Sequence, residues 1–116
     1  MTWLETVDDI ESAGSHVLLD YVNYKRGETG DGEWVLSVLR ECLRESGARE
    51  VHSHVEIFDG EDSPPGFAAV VLIDESHVTA HCYSERGILA VDVFTCGDSD
   101  PSEVAAMIND ALVSEI

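Results

Sequence analysis

Apolar and polar positions divide the chain into segments of two periods. Ser15 to Tyr24 reads as a first strand, followed by a polar, glycine-rich loop from Lys25 to Gly32. Val35, Leu36, Val38, Leu39, Cys42 and Leu43 then recur at helical spacing, with Asp31 placed to cap that helix and Gly47 to end it. Val51 to Phe58 reads as a second strand. The apolar run Phe67 to Ile73, the β-compatible Val78-Thr79-Ala80 and the β-branched, aromatic Gly87 to Phe94 predict three more. Asp74-Glu75-Ser76 leaves room only for a tight junction between two of these strands, and Ser84-Glu85-Arg86-Gly87 for a hairpin. Asp100-Pro101-Ser102-Glu103 opens a last helix, because proline suits a first turn and acids favour the N-terminal end. Val104, Ala105, Ile108, Ala111 and Leu112 would pack that helix on the sheet, and residues 1 to about 14 form an acidic, partly helical lead. The order strand, helix, strands, helix predicts an α+β two-layer sandwich, a mainly antiparallel sheet with two helices on one face.

Composition sets the bounds. A chain of 116 residues is of single-domain length, so 1–116 is read as one domain. It carries 24 acidic against 6 basic residues, a formal charge of −18, and Lys25 is its one lysine. That surface repels nucleic acid and anionic membranes, which excludes both as partners. Acid in such excess also fits adaptation to high salt, where ions screen the self-repulsion. With three cysteines, no signal peptide and no apolar run of membrane-spanning length, the expectation is a reduced, cytoplasmic chain.

The chemistry-bearing residues lie on the central strands. Glu75-Ser76-His77-Val78-Thr79-Ala80-His81 and Asp92-Val93-Phe94-Thr95-Cys96-Gly97 bring a serine, two histidines and a cysteine to adjacent strands, and predict that Ser76, His77, His81 and Cys96 share one neighbourhood. His77 and His81 fall on the same face of a strand, but no third ligand has convincing spacing, so no metal is expected. Cys42 and Cys82 read as structural, His52 and His54 as solvated, and Trp34 as a core anchor of the first helix.

These motifs, with Gly14-Ser15-His16-Val17-Leu18-Leu19-Asp20 upstream, resemble the small prokaryotic S-adenosylmethionine decarboxylases, which are pyruvoyl-dependent, over most of the chain. The resemblance implies that the Ser76 hydroxyl attacks the Glu75 carbonyl and that elimination then cuts the chain. The cut yields a β chain, 1–75, and an α chain, 76–116, whose first residue is a pyruvoyl group derived from Ser76. That ketone would take the substrate amine as a Schiff base and accept the electrons released with carbon dioxide. By the same resemblance, His81 is the processing base and Cys96 the acid that reprotonates the substrate carbon. Glu85 would accept hydrogen bonds from ribose, and Phe58 would stack on adenine. The implied partners are S-adenosylmethionine and a second copy of the chain in a homodimer, and the product would feed spermidine synthesis.

The chain departs from the family pattern at Ala68, where a serine is usual, at Ser15, at Cys82-Tyr83-Ser84, and in a longer loop from Asp59 to Gly66. Two alternatives stay open: the same chemistry on ornithine or arginine, and a non-cleaving homologue acting as a regulatory partner.

Overall fold

The computed structural model of the protein describes residues 14–25, 30–96 and 100–115. The expected acidic lead lies, apart from Gly14, outside them. Five strands, β1 (Ser15–Tyr21), β2 (Glu50–Phe58), β3 (Gly66–Ile73), β4 (Ser76–Tyr83) and β5 (Ile88–Thr95), and two helices, α1 (Asp31–Glu45) and α2 (Pro101–Glu115), make up the regular structure. The strands form one sheet in the order β1-β5-β4-β3-β2, with every neighbouring pair antiparallel. Helix α1 packs on β2 and β3, α2 on β1 and β5, and the helices touch each other. The result is the expected two-layer α+β sandwich.

Alternation along each strand explains the layering. On β4, Ser76, Val78, Ala80 and Cys82 are buried toward the helices, while His77, Thr79, His81 and Tyr83 face away. Val35, Leu39, Ile108 and Leu112 meet Val71, Val91 and Val93 in the core between the layers. Each such side chain contributes about 1.5–3 kcal/mol by leaving water. The Val104, Ala105, Ile108 and Leu112 face of α2 is buried as the spacing predicts, and Asp100 caps that helix by accepting the Ser102 N–H at 2.9 Å.

Three local readings are corrected. β1 ends at Tyr21 rather than Tyr24, because Asn23 turns the chain with φ 57°. Tyr24 instead enters the core, its N–H donating to the Gly87 carbonyl at 2.8 Å. Asp31 is not the cap of α1: Gly30, at φ 86°, holds that position, and Asp31 lies buried in the first turn, accepting the Tyr24 hydroxyl at 2.6 Å. Trp34 flanks the core half-buried, and Val35 and Leu39 anchor the helix. The remaining strands and turns fall close to expectation, with β4 beginning two residues earlier, at Ser76.

Candidate active site

At one end of β4 the chain makes a two-residue turn, Asp74-Glu75, between the paired Ile73 and Ser76. Glu75 takes φ 60°, a left-handed conformation that costs a residue with a β-carbon on the order of 1–2 kcal/mol. Arg49 braces the turn with a two-pronged contact to Asp74, at 2.8 and 2.6 Å. Cys96, just past the end of β5, reaches both sides of the bond between Glu75 and Ser76. Its backbone N–H donates to Ser76 Oγ at 3.0 Å, and its thiol donates to the Glu75 carbonyl at 2.7 Å. Ser76 Oγ and Cys96 Sγ stand 3.8 Å apart. A nearly buried hydroxyl is thus held beside the preceding carbonyl, whose oxygen already receives a donor where negative charge would build up on attack.

His81 is not part of that group, contrary to the shared neighbourhood expected for it. It lies five residues along β4 on the opposite face, exposed, about 16 Å away at strand rise. It instead joins Phe58, Ala68 and Tyr83 in lining a cavity of about 280 Å³, with Ser63 and Pro64 of the long loop. Glu85 sits in the short turn after β4, in a neighbouring recess of about 390 Å³ with Asn23, Tyr24 and Lys25. Gly66 allows β3 to start against this end of β4. It has φ 154°, and a β-carbon there would lie 1.9 Å from the Cys82 carbonyl oxygen. The structure therefore sorts the candidates into two groups, Glu75, Ser76 and Cys96 at one end of β4, and Phe58, His81 and Glu85 at the other.

A further cluster, to which the sequence reading gave no role, lies beside the first group on the outer face. Asp92 accepts from His16 Nδ1 at 3.0 Å and from His77 Nε2 at 3.4 Å. Strand order and register bring these residues together, and neither is visible in the residue spacing. His52 and His54 are exposed as expected, with His54 3.1 Å from Glu56. Burial, reinforced by Glu45 and Glu41, pushes the Cys42 thiol up to about 11, and burial also raises Cys82, so neither is prepared for reaction. Among the described residues no three His, Cys, Asp or Glu side chains converge to hold a metal ion, and no helix is long and apolar enough to cross a membrane.

Known proteins are similar to this chain in sequence and in fold. The chain is 35% identical to an S-adenosylmethionine decarboxylase proenzyme of Bacillus velezensis over 89% of its length and 79% of the relative's. It is 37% identical to that of Clostridium tetani over 77% and 68%. The crystal structure of the adenosylmethionine decarboxylase from Aquifex aeolicus superposes with a TM-score of 0.65 at 25% identity, covering 91% of this chain and 82% of that one. The profile of the family described as S-adenosylmethionine decarboxylase matches residues 15–115, and the chain belongs to that family.

Proposed function

We propose that the protein is a self-processing, pyruvoyl-dependent decarboxylase of S-adenosylmethionine, supplying the decarboxylated compound for spermidine synthesis. The observation that carries this reading is the placement of Cys96 on both partners of the scissile bond, its N–H on Ser76 Oγ and its thiol on the Glu75 carbonyl. Ser76 Oγ attacks the Glu75 carbonyl carbon, and the peptide nitrogen leaves it to become the amine of residue 76, which gives an ester. Loss of the Ser76 Cα proton and rupture of Cβ–Oγ then free Glu75 as a carboxylate that keeps the serine oxygen. Water replaces the remaining nitrogen, which departs as ammonia, and residue 76 becomes pyruvoyl. The site fits such a group: its parent serine is nearly buried, held by an N–H and next to a thiol that can deliver a proton. Once formed, the ketone supplies the electron sink that decarboxylation needs.

The second group completes the site in a homodimer. Two-fold packing of the exposed sheet faces about an axis running across β4 would lay the Ser76 end of one β4 over the partner's His81 end. His81 of the partner subunit then takes the Cα proton, an exchange suited to imidazole. Phe58 of the partner subunit offers its ring to adenine and Glu85 of the partner subunit its carboxylate to ribose. Exposed Leu18, Leu72 and Tyr83 supply apolar area for that contact. The proposed location is the cytoplasm.

Mass spectrometry of denatured wild-type protein should show fragments 1–75 and 76–116, the second with a blocked, ketone-reactive end. Ser76→Ala and His81→Ala chains should each stay whole. Co-refolded, they should cut the His81→Ala chains, because one site of a mixed dimer holds both groups. Mixtures that stay whole would rule out the shared site while leaving cleavage itself intact. Release of carbon dioxide from arginine or ornithine, and not from S-adenosylmethionine, would move the substrate.

A further inference from the structure

Asp92 takes no part in the steps above, yet it is held more closely than an ordinary surface carboxylate. It stands on the outer face of β5 with one imidazole on each oxygen, His16 Nδ1 at 3.0 Å on Oδ1 and His77 Nε2 at 3.4 Å on Oδ2. A carboxylate only accepts, so both ring nitrogens carry hydrogen. Partial burial favours the neutral carboxyl, but the two imidazole contacts outweigh it and hold Asp92 below the ordinary carboxylate range. In register, His77 and His16 flank Phe94 on neighbouring strands. Their ring centroids lie 5.3 and 4.5 Å from that of Phe94. One carboxylate and one aromatic ring therefore pin β1, β5 and the first residues of β4 together.

His77 gives this arrangement its meaning, because it follows Ser76 directly. In the uncut chain Ser76 is tethered by the Asp74-Glu75 turn and by the bond from the Cys96 N–H to its Oγ. Cleavage removes both tethers: the bond to Glu75 breaks, and Oγ leaves with Glu75. Residue 76 is then a chain end, and its nearest side-chain anchor is His77. We propose that Asp92 is a positioning residue for that new end, acting through His77 to keep the head of β4 in register with Cys96. This inference rests on the function proposed above. His16 orients the carboxylate from its other oxygen, and the Phe94 ring backs both imidazoles.

The test is amide hydrogen exchange at residues 77–80, measured on cleaved protein and on the uncleavable Ser76→Ala chain, each with Asp92→Ala or Asp92→Asn. In cleaved protein, Asp92→Ala should speed exchange there about ten-fold or more, as expected when a strand end opens locally. The kcat should fall by a similar factor, with KM little changed. In the Ser76→Ala chain the same change should alter exchange by less than about two-fold, because the turn still holds the strand. Asp92→Asn, which keeps an oxygen able to accept from His77, should restore most of the protection. Wild-type protection in cleaved Asp92→Ala protein would overturn the proposal. An equal rise in cut and uncut chains would do so as well, since Asp92 would then serve the sheet in general, and an Asp92→Ala chain that fails to cut would place the residue before cleavage rather than after it. A wild-type chain of single mass would overturn the functional reading first and this inference with it.

Discussion

On the inner face of the sheet Val71, Val78, Ala80, Val91 and Val93 lie under α1 and α2 with almost nothing polar among them. The outer face of the same strands carries all five histidines of the chain, His16, His52, His54, His77 and His81, together with Asp20, Glu56 and Asp92. Folding explains the first face completely, since each residue there removes apolar area from water. It does not explain the second, where histidines and carboxylates gain little by being gathered on one surface. The comparison teaches that parity along the strands gathers apolar residues on the inner face and ionisable ones on the outer face, with Ser76, of inner-face parity at the head of β4, as the exception.

The largest effect expected from that division is on unfolding. Leu39→Ala, in the core, should lower the unfolding free energy by about 2–5 kcal/mol, whereas Leu18→Ala, two-thirds exposed on the outer face, should change it by about 0.5 kcal/mol or less at dilution. Urea titration at two protein concentrations measures both. A Leu18→Ala effect that grows with concentration would show the outer face buried against another copy, and comparable losses for both at dilution would break the distinction. Next comes cysteine reactivity in the folded, uncut Ser76→Ala chain: iodoacetamide should label half-exposed Cys96 and leave Cys42 and Cys82 protected, because burial raises both of their thiols. Labelling all three at similar rates would mean that the inner face opens readily. The smallest effect is that of salt. The thermal midpoint should climb by several degrees between low and molar potassium chloride as ions screen a net charge of −18. A midpoint that stays level would remove high-salt adaptation as the reason for the acidic surface.

Much of this was legible in the residues. Periodicity placed α1, α2 and the strands, because a helix and a strand bury different repeats. The motifs located Ser76 and Cys96. What escaped depended on partners in space: Tyr24 left β1 to satisfy Asp31, and Gly30 displaced Asp31 as cap, through contacts that no local pattern reports. The linking of His16, Asp92 and His77 needed the sheet order, which places β1 beside β5 rather than beside β2. The error over His81 is of another kind, for its cause was present in the spacing. An offset of five is odd, and odd offsets on a strand face opposite ways.

The contact between Cys96 and the Glu75 carbonyl spans 21 positions of sequence and closes only when β5 has paired with β4. During synthesis the bond between Glu75 and Ser76 therefore leaves the ribosome well before Cys96 does. A truncated chain, or one whose last strand is out of register, has its serine but lacks both contacts from Cys96. Under the proposed function, self-cleavage would work as quality control, a permanent mark that the sheet was completed, and the proportion of cut chains in a preparation would record how much of it once folded correctly.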